Sequence, residues 1–110
     1  MDWIELTSAE QLKQIKEKHG YSIIFKHSTR CSISLFAKRR FENGWADLPA
    51  NTEVYHLDLL SYRPISAEIA EIFQVHHQSP QLLLIKDGEC IYETSHGEIS
   101  VTETVEQMTL

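Results

Sequence analysis

Tyr21-Ser22-Ile23-Ile24-Phe25-Lys26-His27-Ser28-Thr29-Arg30-Cys31-Ser32-Ile33-Ser34 joins a short apolar run to a cysteine that stands where an amphipathic stretch begins. Tyr21 to Phe25 reads as a buried strand that delivers His27 to Arg30 to its C-terminal edge. From Ser32 onward Ile33, Phe36, Ala37 and Phe41 recur at helical spacing. The pattern predicts a helix that keeps those residues inward, turns Lys38, Arg39 and Glu42 away, and ends near Asn43-Gly44. A cysteine at such a position meets unpaired backbone N–H groups and the positive end of the helix dipole, and both favour a thiolate over a thiol. Cys31 and Ser34 fill the first and last places of a C-x-x-C frame, so the second thiol is missing. A hydroxyl at Ser34 can donate a hydrogen bond to a thiolate but cannot attack a disulfide sulfur, which points to one-thiol exchange.

Elements on either side alternate. Trp3 to Leu6 is a short apolar stretch before Thr7-Ser8-Ala9-Glu10, where Thr7 and Glu10 have capping-box spacing and open a helix with Leu12 and Ile15 inward. Gly20 is placed to take the left-handed conformation at that helix end. Val54 to Asp58 reads as a strand, and Ile65, Ile69, Ile72 and Phe73 mark a helix entered near Pro64. Gln81 to Lys86 and Cys90 to Thr94 flank Asp87-Gly88, a strong hairpin signal. Ser100 and Glu103 offer a second capping box before a last helix with Val101, Val105 and Met108 on one stripe. The predicted fold class is α/β: one domain over residues 1–110, with a central mixed sheet, helices on both faces, right-handed crossovers and the order β-α-β-α-β-α-β-β-α. Strands covered on both faces explain why Ile23 to Phe25 and Leu82 to Ile85 are continuously apolar.

The chain has 110 residues, 42% hydrophobic and 24% charged, in keeping with a single folded domain. A formal net charge of -6 argues against a broad nucleic-acid surface, and Lys38-Arg39-Arg40 is expected to be a solvated helix face. The longest aliphatic run, Leu82 to Ile85, is far shorter than the ~18 residues of a membrane span. Met1-Asp2-Trp3 begins no cationic signal peptide, and two cysteines do not form a secreted disulfide framework. These features set the expectation of a cytoplasmic protein without membrane or nucleic-acid partners.

Thiolate donors legible in the sequence are the Ser34 hydroxyl, the N–H groups of Ile33 and Ser34, the Thr29 hydroxyl and the charge of Arg30, with His27 either a tuning group or a packing residue. Cys90 is expected to be a small apolar side chain in a strand. His76-His77 carries no recognisable ligand spacing, so no metal is expected.

The element order resembles that of thioredoxins, and this likeness implies that Gln78-Ser79-Pro80-Gln81 lies beside Cys31 with a cis Ser79-Pro80 bond. Ser79 and Pro80 would then hold a substrate in extended form. More closely, His27 to Ser34, His77 to Gln81 and Ser95-His96 together resemble the YtxJ-like monothiol bacilliredoxins, over nearly the full length. That resemblance implies a thioredoxin fold and an oxidoreductase that exchanges bacillithiol with S-bacillithiolated client proteins. No bound cofactor is implied; bacillithiol is the co-substrate and Cys31 the catalytic nucleophile. The family's usual proline after the cysteine is replaced here by Ser32. The carboxylates on bacillithiol's malyl group make Arg30, Lys26 and Lys38 candidate contacts, with Arg30 first because it adjoins the cysteine. The alternatives are a glutaredoxin-like enzyme that uses another small thiol, and a thioredoxin-fold adaptor that binds without turnover. Cys31 to Ser34 lacks the glycine and aromatic residue of the cluster-binding monothiol glutaredoxins.

Overall fold

β2 (Tyr21–His27) is the centre of the molecule, pairing parallel with β3 (Glu53–Asp58) on one side and antiparallel with β4 (Gln81–Lys86) on the other. The computed structural model describes residues 1–109. β1 (Trp3–Glu5) adds parallel to β3, and β5 (Glu89–Ser95) adds antiparallel to β4, giving a five-stranded sheet in the order β1-β3-β2-β4-β5. The helices are α1 (Ala9–Glu17), α2 (Ser32–Asn43), α3 (Arg63–Ile72) and α4 (Val101–Met108), with short 3-10 turns at Trp45–Asp47 and His96–Glu98. The expected order is therefore the observed one, with the two turns added.

Each sheet face carries its own core. Ile24, Leu57, Leu83 and Ile85 pack with Leu12 and Ile15 of α1 and Ile65 and Ile69 of α3. On the other face Ile23, Phe25, Leu82 and Leu84 pack with Ala37 and Phe41 of α2 and Val101 of α4. Successive strand residues point to opposite faces, so a strand covered on both sides is mostly apolar, and the buried polar residues of β2 and β4 are Ser22, Lys26, His27 and Gln81. The aromatic group of Trp3, Phe25, Phe41 and Trp45, with Trp3 centroids 4.9 to 5.7 Å from the others, closes the second core.

Local details depart from the sequence reading in two places. The cap of α1 is Ser8, not Thr7: its hydroxyl accepts the N–H of Gln11 at 3.3 Å, and the Gln11 side chain returns to the Ser8 N–H at 3.2 Å. Ser8 and Thr7 are both competent caps, and the one adjoining the first helical residue takes the role.

On α2 the buried residues are Ser34, Ala37 and Phe41, while Ile33 and Phe36 are 56% and 61% exposed. The first turn of this helix begins beyond the last residue of β2, and Phe36 is turned ~100° from Ala37, so neither apolar side chain has sheet beneath it. Nor do Lys38 and Glu42 face away. Glu42 accepts the Trp3 indole N–H at 2.7 Å, and Lys38 lies 3.4 Å from Glu42 and over the Trp3 ring. Arg40 is also structural, donating to the carbonyls of Ile99 and His96.

Asp87 and Gly88 turn the β4–β5 hairpin at φ of 51° and 82°, the left-handed pair that matches strand twist. The turn docks on α1: Lys16 Nζ donates to the Gly88 carbonyl at 2.8 Å, and a Cβ on Gly88 would lie 2.1 Å from the Lys16 carbonyl oxygen. Gly20 also has positive φ, 89°, yet nothing lies within 4 Å of its Cβ position. Gly88→Ala should therefore lower unfolding free energy by ~2–4 kcal/mol in urea titrations, and Gly20→Ala by only ~1 kcal/mol. Equal losses would contradict the close approach of the turn to α1.

Candidate active site

The end of β2 leads through Ser28, Thr29 and Arg30 to Cys31, the N-cap of α2, with backbone angles of -108° and 121°. The Cys31 N–H donates to the Ser28 carbonyl and the Cys31 carbonyl accepts the Leu35 N–H, both at 3.1 Å, so the residue is fixed from both sides. No side-chain hydrogen bond caps the helix. The amides at its start engage the charged form instead. The N–H of Ser34, then that of Ile33, and to a lesser extent the Ser34 hydroxyl, hold the Cys31 thiol below its ordinary pKa, with desolvation opposing them.

Ser34 is fully buried, and its Oγ accepts the Ser28 N–H at 3.3 Å. That bond occupies the oxygen and leaves the hydroxyl proton free to be donated to sulfur.

The other expected supports lie elsewhere. Thr29 and Arg30 are exposed, and neither is among the groups that lower the thiol's pKa. His27 is buried on the α2 side of the sheet, with its ring 6.3 Å from Phe25 and 5.2 Å from His56. Burial, followed by the charges of His56 and Lys38, pushes its pKa down to about 4, so it is neutral at pH 7 and supplies no cation. Its role is packing.

The Ser79-Pro80 bond is cis. Pro80 is buried, while Ser79 is half-buried with its Oγ enclosed and unpartnered. Lys26 faces Gln81 across β2 and β4, and the Leu59 N–H donates to the His27 carbonyl at 3.0 Å. The ends of β2 and β3 and the start of β4 thus share one sheet edge, and Cys31 and the proline loop both sit there.

A polar network that the sequence did not reveal as a unit pins the loop. The Gln81 amide donates to the His76 carbonyl and to Glu93, each at 3.0 Å, and its oxygen accepts the Gln78 N–H at 3.4 Å. Lys26 Nζ lies 3.2 Å from His77 Nδ1. Lys26 is fully buried, and desolvation pushes its pKa down to about 8 against the opposing pull of Glu93, so it remains mostly charged at pH 7. The one signal in the sequence was a lysine inside an otherwise apolar strand.

Cys90 is far from this edge. It pairs with Ile85, which pairs with Ser22 near the start of β2. At ~3.3 Å per residue, Ser22 to His27 alone spans roughly 16 Å, more than twice the ~7 Å limit between Cα atoms of a disulfide. Both cysteines are free; burial raises the Cys90 pKa, and its thiol donates to the Tyr92 carbonyl at 3.4 Å. Among the described residues no three His, Cys, Asp or Glu side chains gather as metal ligands, and no helix is long and apolar enough to cross a membrane.

The family model described as monothiol bacilliredoxin BrxC matches residues 4–104. The chain belongs to the monothiol bacilliredoxin family. A solved structure described by its thioredoxin fold and a provisional oxidoreductase assignment is 30% identical, with a TM-score of 0.84 over 96% of this chain and 92% of that one. Thioredoxins of Malassezia sympodialis and Trypanosoma brucei brucei are 20% and 13% identical. Their TM-scores are 0.72 and 0.77, covering 96% and 98% of this chain and 86% and 88% of theirs. At such identities they show the fold alone. This bacilliredoxin has a thiol-disulfide redox role on a thioredoxin fold.

Removing the Ser34 hydroxyl should raise the Cys31 pKa, because the thiolate loses a donor and the Ser28 N–H loses its acceptor. Ser34→Ala is expected to slow iodoacetamide alkylation at neutral pH severalfold and to shift the rate's pH profile upward, whereas Arg30→Ala leaves the profile in place. A profile that moves with Arg30 and not with Ser34 would contradict this assignment.

Proposed function

We propose that this bacilliredoxin, acting as one domain over residues 1–110, removes bacillithiol from S-bacillithiolated proteins. The observation that carries the reading is a lone thiol at a helix N-cap, its pKa held below the ordinary thiol value, with Ser34 where a resolving cysteine would stand. In the step, the Cys31 thiolate attacks the bacillithiol sulfur of the client's mixed disulfide. A Cys31–bacillithiol disulfide forms, the client disulfide breaks, and the client sulfur leaves with the bonding pair and takes a proton from solvent. No net electrons are added, so a second thiol must later attack the enzyme-bound adduct to regenerate Cys31. The distance to Cys90 supports an external thiol for that second step.

Ser79 and Pro80 line the path of the extended substrate in this reading. Ile33, Leu35 and Phe36, exposed on the first turns of α2, offer the apolar surface that a protein client would cover. Arg30, exposed and adjoining the thiol, becomes a substrate contact rather than a support of the thiolate. Two free thiols suit a reducing compartment, and we assign the protein to the cytoplasm.

A bacillithiolated client and the same client carrying glutathione, each incubated with wild type and with Cys31→Ser, provide the test by intact mass. Selective transfer of bacillithiol to wild type, and none to Cys31→Ser, is expected. Equal transfer from both clients would assign a glutaredoxin-like thiol range, and client binding without transfer from either would assign an adaptor.

A further inference from the structure

Between α3 and the proline loop lies a cavity of about 250 Å³ lined by Leu59, Arg63, Ser66, Ala67 and His77. Leu59 is bonded to the end of β2, and His77 belongs to the segment that leads into the cis bond, so the cavity opens on the same sheet edge as Cys31. The larger hollow lined by Lys18, Tyr21 and Met108 lies at the opposite edge, where β2 begins.

Arg63 is the charged side chain that lines the cavity, and Lys26, which also feels the opposite charge of Glu93, stands behind His77. Arg63 is exposed at the start of α3 and has no ion-pair partner among the described residues. Behind His77 stands the buried Lys26 ammonium, 3.2 Å from Nδ1. An ammonium has three N–H donors and no acceptor, so His77 Nδ1 must be the acceptor of that bond. The ring proton is then on Nε2, and His77 and Arg63 both line the cavity. The first turn of α3 contains no acidic residue to neutralise them. In a chain of net charge -6, an exposed guanidinium without an ion-pair partner and a histidine backed by a buried ammonium, both lining one cavity, favour an anion there.

We propose that this cavity binds the carboxylate end of an anionic low-molecular-weight thiol, with Arg63 and His77 as direct contacts and Lys26 as the positioning residue that fixes the His77 tautomer. The assignment rests on the bacillithiol reading above and specifies how that thiol is held. Leu59 and Ala67 form an apolar floor, and the guanidinium fork suits a carboxylate pair such as the malyl group supplies. The carboxylates are borne apart from the thiol, so a cation set off from Cys31 suits them better than Arg30, which adjoins the sulfur.

The test is binding without turnover. Cys31→Ser protein is titrated with the symmetrical bacillithiol disulfide while nitrogen NMR follows the Arg63 side chain and the His77 ring. The symmetrical disulfide of 2-mercaptoethanol serves as the uncharged control. Saturable shifts at Arg63 and His77, a dissociation constant about tenfold weaker (~1.4 kcal/mol) with Arg63→Ala, and no such dependence for the control are expected. Lys26→Met, which removes a buried charge and keeps an unbranched side chain, should leave the fold intact yet change the His77 nitrogen shifts from a single Nε2–H tautomer to a mixture, and weaken binding. Absence of binding, shifts confined to Arg30, or a constant insensitive to Arg63→Ala would overturn the proposal. Failure of client transfer with this binding intact would instead reject the catalytic reading alone.

Discussion

A negative charge on the Cys31 sulfur would be met by the N–H groups of Ile33 and Ser34 at the start of α2. This arrangement requires a strand to end and a helix to begin within four residues, with the cysteine at the junction. β2 meets the first requirement because it is fixed by β3 and β4 on its two sides and by a core on each face. Ala37 and Phe41 meet the second by seating α2 against that sheet. Ser34 completes the junction, since its one hydroxyl satisfies the Ser28 amide and still has a proton for the sulfur. The causes that lower the thiol pKa are backbone amides and one hydroxyl, and the adjoining Arg30 is not among them.

A second constraint acts on the other side of the same edge. The loop around Ser79-Pro80 is tied to three strands by Lys26, Gln81 and Glu93. Charged and amide groups in a strand interior reduce stability unless they are partnered. They gather at the edge that carries Cys31 and the proline loop, at the end of β2 and the start of β4.

Much of this was legible in the sequence. The strand and helix periods, Asp87-Gly88 and Ser100 gave the order of elements, because each is a local signal that tertiary contacts reinforce. Cys31 was legible because its junction lies within a single local stretch. The sidedness of α2 was not: Ile33 and Phe36 satisfy a helical period, and only the position of the sheet edge decides that nothing lies beneath them. Thr7 and Ser8 were equivalent caps until the first helical residue was known. His27 was undecided between tuning and packing because its charge depends on burial, a property of the whole fold. The Lys26–His77 contact joins residues 51 positions apart through a strand pairing, and no spacing rule connects them.

In the proposed reaction Cys31 acts without a second thiol of the same chain. Reduced protein treated with the symmetrical bacillithiol disulfide, then measured by intact mass and peptide mapping, tests it most directly. A single bacillithiol adduct on Cys31, with Cys90 still a free thiol, is expected. An internal Cys31–Cys90 disulfide, or an adduct carried by Cys90, would contradict it.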